Sequence, residues 1–171
     1  SPILFKEKDH SFDQWKPVNF EQKFYGPTPL REALAHSRNI VTVKLLQKIG
    51  TRSVIAMARN LGINSRLESN LSIGLGSSGV TLHELVSAYS AFANNGTRVK
   101  SQGIRYIENR NGETLFRENQ NKTQPITSGV AHIITSLLQS VVEEGTAKKV
   151  RSLGRPTAGK TGTTNNYIDA W

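Results

Sequence analysis

The sequence predicts a mixed α/β (α+β) domain, because helical segments alternate along the chain with short strand-like runs. The longest helical signal covers residues 127–144, where apolar residues recur at intervals of three and four. Two β-prone runs flank Asn109–Gly112 and indicate a surface hairpin. A further strand-like run, Ala158–Thr164, combines one lysine with three threonines and two glycines. With 171 residues, the chain is long enough for one domain with an apolar core.

The first part of the chain is predicted to be helical after residues 1–27, whose prolines and aromatics follow neither the helical nor the strand period. That leading stretch is expected to be extended and packed on the rest. The first helix has Thr28 as N-cap and Pro29 in its first turn, and it reaches His36. Two further helices are predicted over Ile40–Ile49, before Gly50, and Arg52–Leu61, before Gly62. The second helix is expected to bury one stripe made of Val41, Leu45 and Ile49.

A turn, a capped helix and the hairpin are predicted in the middle of the chain. Small residues over 71–79 indicate a close-packed turn. Thr81 and Glu84 form a capping-box pattern, which begins a helix that ends at Asn94–Gly96. The packed face of this helix is expected to be Leu82, Leu85, Val86, Tyr89 and Phe92. The two hairpin strands are predicted over residues 104–108 and 114–116.

The helix over residues 127–144 is predicted to be the central core helix, and Gly145 ends it. Its uninterrupted apolar series is Val130, Ile133, Ile134, Leu137, Leu138, Val141 and Val142. Such a series favours a helix packed against several other elements.

The formal net charge of +9 indicates a basic solvated surface, with no nucleic acid as partner, because the lysines and arginines are scattered without interleaved aromatic residues. No run approaches the roughly 18 apolar residues of a membrane span. No signal-peptide pattern opens the chain, so any export signal or membrane anchor is expected outside this sequence. The absence of cysteine and the isolated positions of the four histidines predict no disulfide, no metal site and no cofactor.

The run Ala158–Thr164 has the composition of an anion-recognition strand. Lys160 supplies a positive charge, and the threonine hydroxyls supply donors for a carboxylate or a phosphate. Gly162 lets a ligand approach the backbone. Asn165–Asn166 then predicts a turn before a second strand-like run over residues 167–171. Taken alone, the residues of this run are also typical of an ordinary turn.

Strand geometry places a condition on this run. Simple alternation puts Thr161 and Thr163 on one face and Lys160 on the other. A pocket that uses all three side chains therefore requires a local twist or a bulge near Gly162.

A phosphate-binding loop is the alternative for this segment, because Gly154–Thr161 satisfies the pattern G-x-x-x-x-G-K-[ST]. Such a loop needs an apolar strand before it and a helix that opens at Lys160. Residues 148–153 are too charged for a buried strand, and residues 162–166 disfavour a helix. The flanks therefore favour the strand, while a nucleotide enzyme that binds ATP with magnesium stays as the alternative.

Ser37-Arg38-Asn39 lies between the first two predicted helices. On one continuous helix, residues two apart point about 200° around the axis, so Ser37 and Asn39 would face one pocket only in a tight connection. The alternative is that one of them simply caps the second helix. A Ser-x-Asn followed by a Lys-Thr-Gly strand is the pattern of penicillin-interacting serine enzymes.

An ordered set of such motifs spans essentially the whole chain. Its members are Ser37-Arg38-Asn39, residues 75–81, residues 91–96, residues 144–147, Ala158–Thr164 and Asp169-Ala170-Trp171. In this combination the sequence resembles the transpeptidase domain of class A (bifunctional) penicillin-binding proteins. The resemblance implies a serine β-lactamase/penicillin-binding transpeptidase-like fold, with a helical lobe and an antiparallel sheet of five strands in the family. Residues 1–171 would form the C-terminal part of that domain.

The resemblance implies a D,D-transpeptidase that cross-links peptidoglycan stem peptides ending in D-Ala-D-Ala and is acylated by β-lactam antibiotics. The residues that match the family's site are Ser37, Asn39, Lys160, Thr161, Gly162 and Thr163. By position, Ser37 would relay a proton, Asn39 would hold the substrate and the catalytic lysine, and Lys160 would support the electrostatics of the relay. Thr161 and Thr163 would bind the substrate carboxylate, and the Thr163 N–H would contribute to the oxyanion hole.

One part of the family pattern is missing. The family's nucleophile lies in a Ser-x-x-Lys helix upstream of Ser-x-Asn, and no serine of this chain is followed three residues later by lysine. We therefore expect a fragment that lacks the nucleophile segment and the final strands, that completes its domain with the missing part, and that is inactive alone. The parent is expected at the periplasmic or extracytoplasmic face of the bacterial cytoplasmic membrane, with its anchor outside this chain. A non-catalytic ligand-binding or sensor module would contain the same sequence motifs and is the alternative to a transpeptidase.

Overall fold

The computed structural model describes residues 17–19, 23–119 and 121–162 of the chain. The α-helices of these residues are α1 (Leu30–Ala35), α2 (Asn39–Ile49), α3 (Thr51–Asn60), α4 (Leu82–Ala93) and α5 (Ser128–Glu143). The strands are β1 (Arg98–Val99), β2 (Tyr106–Glu108), β3 (Thr114–Arg117) and β4 (Lys122–Thr123). Short 3₁₀ helices cover Leu71–Leu75 and Lys148–Leu153. Helices with small antiparallel pairs agree with the mixed class predicted from sequence, and no helix in the described ranges is long and apolar enough to span a membrane.

The described chain divides into two compact units. The first takes its residues from 1–56, 66–79 and 134–171, and the second from 57–65 and 80–133. In the first unit, Val141, Val142 and Ala147 form a buried cluster against which Leu34 and Val150 pack. In the second, the buried cluster is Leu61, Ala88 and Ala91, with Ile63 and Phe92 packed on it.

The predicted helix boundaries are confirmed to within one or two residues for α2, α3, α4 and α5. The capping box is present at α4, where the Thr81 hydroxyl accepts from the Glu84 N–H and the Glu84 carboxylate accepts from the Thr81 N–H. Residues 17–19 and 23–27 contain no helix or strand, as expected, and the rest of residues 1–27 lies outside the described residues. Within the predicted turn over residues 71–79, Leu71–Leu75 form a 3₁₀ helix in which a Cβ on Gly74 would lie 2.9 Å from Leu46 Cδ2, so the turn is close-packed there.

The prediction that Thr28 caps the first helix is wrong. The cap position of α1 is Pro29, and within the described residues this helix has no side-chain cap hydrogen bond. The Thr28 hydroxyl instead donates to Gly26 O (3.1 Å) and accepts from the guanidinium of Arg38 (3.3 Å). The competing bond from Arg38 redirects the hydroxyl away from the helix start.

The predicted packed faces of the helices are partly wrong. In α2 the buried residues are Ile40, Val43 and Leu46, whereas Leu45 and Ile49 are exposed. In α4 small alanines are buried, whereas Leu82, Val86 and Tyr89 are exposed. In α5 the C-terminal part is buried, as expected of a core helix, but Val130 and Ile133 are exposed. Each helix carries apolar residues on more than one face, so periodicity alone does not identify the face that packs within its unit.

The predicted hairpin is confirmed, because β2 pairs antiparallel with β3 around the turn at Asn109–Gly112 and both strands are exposed. A second antiparallel pair was not predicted from sequence. It joins β1 to β4 with only two residues on each side, Arg98 with Thr123 and Val99 with Lys122. Two-residue strands are too short to give an alternating pattern.

The predicted strand at Lys160 does not form within the described residues, which here end at Gly162. Residues 155–162 pair with no strand of the described chain, and their backbone is held by a bond from Gly159 N–H to Leu138 O (3.3 Å). Residues 163–171, with the second predicted run, lie outside the described residues. Residues 148–153 form a 3₁₀ helix instead of a strand, and no helix opens at Lys160 before Gly162, so the described segment lacks the architecture of a phosphate-binding loop.

Candidate active site

Ser37 lies in the short corner between α1 and α2, and its backbone is left-handed, with φ of 53°. The Ser37 N–H donates to Leu34 O (3.2 Å), and the Arg38 N–H donates to Ala33 O (2.8 Å). This pair of bonds is the Schellman ending of a helix, in which glycine usually occupies the left-handed position. A left-handed residue with a Cβ costs about 1–2 kcal/mol. Strained backbone of this kind is concentrated at functional sites, which draws attention to the Ser37 hydroxyl.

Lys160 reaches this hydroxyl from the other end of the sequence. Its Nζ donates to Ser37 Oγ (3.1 Å) across 123 positions, and it also donates to Thr161 O (2.6 Å). The connection between α1 and α2 is short, as a pocket that uses Ser37 requires. The Ser-x-Asn corner contacts the Lys-Thr-Gly segment directly through this hydrogen bond. An ammonium that donates to Ser37 Oγ leaves the hydroxyl hydrogen of Ser37 free to point away from Lys160.

Burial changes the acid–base behaviour of Lys160. The pKa of its ammonium group is lowered from the ordinary 10.5, and the cause is desolvation. A lysine with a lowered pKa gives up its proton more readily than a solvated one. Lysine and serine in hydrogen-bond contact can therefore pass a proton along the pair.

Asn39 is the first residue of α2, and its amide donates to Val18 O (3.0 Å). Within the described ranges no hydrogen bond joins Asn39 to Ser37 or Lys160, so the corner brings Ser37 and Lys160 together without the amide of Asn39. The capping alternative is not met either, because neither the Ser37 nor the Asn39 side chain caps α2. The buried Asn19 does this instead, since its Oδ1 accepts from the Ile40 N–H (3.1 Å).

Arg38, the middle residue of the corner, anchors it from behind. Its guanidinium lies over the Tyr25 ring, 3.9 Å from the centroid, and it contacts Thr28 Oγ1 (3.3 Å) and Glu32 Oε2 (3.5 Å). The side chain is mostly buried, whereas the carboxylate of Glu32 is half-exposed. Cation–π contact and packing therefore hold the corner more than the ion pair does.

Thr161 presents an exposed hydroxyl beside the lysine. Its Oγ1 forms a hydrogen bond of 2.6 Å with Thr146 Oγ1. Gly162 follows and is also exposed, as a residue that lets a ligand approach the backbone should be. Thr163, the third predicted residue of this segment, lies outside the described residues.

A second corner, Gly145-Thr146, contacts both the helix end before Ser37 and the segment that carries Lys160. The Thr146 N–H donates to Ala35 O (3.1 Å), at the end of the helix that carries Ser37. A Cβ on Gly145 would lie 2.0 Å from Ala35 O and 2.9 Å from Val141 O, so only glycine fits this approach. The backbone of Thr146 therefore contacts the helix end before Ser37, and its side chain contacts the segment that carries Lys160.

Sequence reasoning missed Asn19, Thr146 and the anchoring role of Arg38. The sequence predicts Gly145 only as the end of a helix and residues 144–147 only as part of the resemblance, whereas in the structure Gly145 and Thr146 connect the Ser37 corner to the Lys160 segment. The signal was weak, because a glycine after a helix and a polar residue in an extended stretch are both ordinary features of loops. No group of three or more metal-ligating side chains occurs in the part of the chain that the structure describes.

The chain belongs to the penicillin-binding protein transpeptidase domain family, whose model matches residues 3–169. Penicillin-binding protein 1A of Aquifex aeolicus is 38% identical over 93% of this chain and 22% of that protein. Among solved structures, penicillin-binding protein 1A from Haemophilus influenzae covers all of this chain and 31% of its own length, with a TM-score of 0.90 and 23% identity. That likeness establishes the shared fold.

A third similar protein was solved with a ligand. The PonA1 protein from Mycobacterium tuberculosis in complex with penicillin V is 25% identical to this chain, with a TM-score of 0.79, over 99% of this chain and 47% of its own. The chain spans only part of the length of the curated relatives it matches, 22% of the Aquifex aeolicus protein and 23% of penicillin-binding protein 1A of Rickettsia bellii. The family resemblance stated from the motifs is confirmed.

Proposed function

We propose that these residues form part of the active site of a peptidoglycan D,D-transpeptidase that acts through an acyl-serine intermediate and is acylated by β-lactam antibiotics. The observation that carries the proposal is the 3.1 Å bond from Lys160 Nζ to Ser37 Oγ. Acyl transfer needs a group that moves a proton from the nucleophile to the leaving amine, and a hydroxyl supported by a lysine is suited to that task.

In the proposed reaction, a serine outside these 171 residues attacks the carbonyl carbon of the penultimate D-alanine. Ser37 Oγ–H gives its proton to the departing amine nitrogen, and Lys160 N–H replaces it on Ser37 Oγ. Lys160 then regains a proton from the attacking hydroxyl through the family's catalytic lysine. Asn39 is proposed to hold the substrate and that lysine with its Oδ1 and its second N–H, because the bond to Val18 O uses only one N–H of the amide.

Thr161, Gly162 and Thr163 are proposed to receive the terminal carboxylate of the stem peptide. The exposed hydroxyl of Thr161 and the cation of Lys160 supply complementary charge and donors. The whole protein is proposed to work at the extracytoplasmic face of the bacterial cytoplasmic membrane, where its polymer substrate lies, held by an anchor outside this sequence.

The test uses the full-length protein that contains these residues. We expect a fluorescent penicillin to label the wild type covalently and Ser37→Ala to slow labelling by about 100-fold or more. Asn95→Ala, which alters a corner of the second unit, serves as control and is expected to label normally. Saturable binding without covalent labelling in the wild type would instead identify a non-catalytic sensor.

The 171-residue chain by itself is proposed to form no acyl-enzyme, because it contains no serine followed three positions later by lysine. Incubation of the isolated chain with the same penicillin checks this directly. A stable, stoichiometric label on the isolated chain would show that another serine serves as nucleophile.

A further inference from the structure

Thr146 connects the parts of the site, yet the proposed reaction assigns it no role. Its hydroxyl lies 2.6 Å from the hydroxyl of Thr161, and its N–H donates to Ala35 O (3.1 Å). Both threonine side chains are exposed, so their hydroxyls are accessible to a ligand. The contact joins residues fifteen positions apart and is not imposed by local turn geometry.

We propose that Thr146 is a positioning residue that orients the Thr161 hydroxyl toward the carboxylate of the substrate. This inference rests on the proposed function and deepens it. A hydroxyl has one hydrogen and two acceptor lone pairs. When Thr146 donates to Thr161 Oγ1, the hydrogen of Thr161 is free for the carboxylate. Such a chain of donors polarises each successive bond and strengthens the last one.

The backbone of Thr146 is fixed independently of its hydroxyl. Gly145 approaches Ala35 O so closely that no side chain fits, and Ala147 is buried in the cluster with Val141. A change of the Thr146 side chain therefore removes one hydroxyl from a rigid frame. Thr146→Val keeps the shape and removes the donor, whereas Thr146→Ser keeps the donor.

The experiment measures acylation of the full-length protein by two ligands, benzylpenicillin and its methyl ester, which lacks the free carboxylate. We expect Thr146→Val to lower the second-order rate constant with benzylpenicillin by about three- to tenfold, the range for one lost hydrogen bond. The rate with the ester should not change, because the ester offers no carboxylate to orient. Thr146→Ser should restore the preference for the acid. Thr146→Ala repeats the test with a smaller side chain.

Thr97→Val is the matched control, because the Thr97 hydroxyl donates to Gln124 Oε1 (2.8 Å) within the second unit. It is expected to leave both rates unchanged. A second measurement is a double-mutant cycle, in which Thr146→Val should have no further effect once Thr161→Val is present.

Equal loss of rate with both ligands, additivity in the cycle, or failure of Thr146→Ser to restore the acid preference would each overturn the inference. Such results would leave the proposed function intact, since the wild type would still be acylated. Absence of acylation in the wild type would instead overturn the proposed function and this inference with it.

Discussion

Lys160 donates a hydrogen bond to a serine whose backbone is left-handed, and this one contact joins the strain at Ser37 to the chemistry proposed for it. The hydroxyl does not take part in capping α2, because Asn19 meets that need. The Schellman bonds around Ser37 would suit glycine better. The corner therefore keeps a hydroxyl at a position where stability alone favours its removal.

Replacement of Ser37 by glycine should separate stability from activity. Relief of left-handed strain, about 1–2 kcal/mol, is partly offset by the chain entropy of glycine, about 0.5–1 kcal/mol, so the free energy of unfolding should rise by up to about 1.5 kcal/mol. Acylation by penicillin should nevertheless fall by about 100-fold or more, because the relay hydroxyl is lost. Denaturant unfolding and labelling kinetics measure the two effects.

Asn95→Gly is the control for this variant, because Asn95 also has a positive φ, 51°, and lies in the second unit. It should gain less stability than Ser37→Gly, because asparagine tolerates the left-handed region better than serine, and it should keep the wild-type acylation rate. A Ser37→Gly protein that acylates normally would remove Ser37 from the relay.

The pH dependence of acylation should report Lys160. Burial lowers the pKa of its ammonium group below 10.5, so the loss of activity at high pH should begin earlier than for a solvated lysine. Lys160→Arg keeps the positive charge and does not titrate in this range. The variant should be slower at every pH, but its profile should lack the descending limb. Stopped-flow labelling from pH 7 upward measures it, and a limb that survives in the arginine variant would assign that titration to another group.

Glu84 should make the second unit sensitive to acid. Its carboxylate accepts from the hydroxyl and N–H of Ser65 and from the N–H of Asn64, besides closing the capping box with Thr81. These bonds, led by the Ser65 hydroxyl, lower the pKa of Glu84 from 4.5 to about 2. As pH falls, the unfolded chain therefore takes up the proton on Glu84 before the folded chain does. The stabilisation by the charged carboxylate is complete above pH 4.5 and is lost as pH falls through about 2.

Comparison with Glu84→Gln checks this sign. The wild type should be the more stable protein near neutral pH, and the difference between the two should shrink on acidification toward pH 2. Denaturant unfolding at a series of pH values gives the difference directly. A stability difference that is constant from pH 6 to pH 2 would contradict the assignment to the charged form.

Gly145→Ala should destabilise the first unit strongly. The new methyl group would meet Ala35 O at 2.0 Å, and a shift of backbone is needed to make room. Overpacking of this kind costs about 1–3 kcal/mol. Gly129→Ala is the control, because nothing lies within 4 Å of its Cβ position and alanine favours the helix there by up to about 1 kcal/mol. Equal melting temperatures for the two variants would show that the corner at Gly145-Thr146 is able to relax.

Sequence reasoning predicted the helices, the hairpin and the meeting of Ser37 with Lys160, because each rests on local signals or on the resemblance. It assigned the wrong packed faces to α2 and α4, since Leu45, Leu82 and Val86 are as apolar as the residues that are buried. The strand predicted at Lys160 depends on a pairing partner, which propensity does not reveal. Asn19 and Thr146 act across long separations in the chain, and single-sequence patterns carry no information about such contacts.

The contact at Gly145 also limits how the protein can evolve. The nearest atoms to the absent methyl all belong to the main-chain carbonyl groups of Ala35 and Val141, and these are present whatever amino acid is encoded there. A second substitution at Ala35 or Val141 therefore cannot relieve the clash that a side chain at Gly145 would make. Compensation would have to come from a displaced helix end, and that end precedes the Ser37 hydroxyl to which we assign the proposed relay.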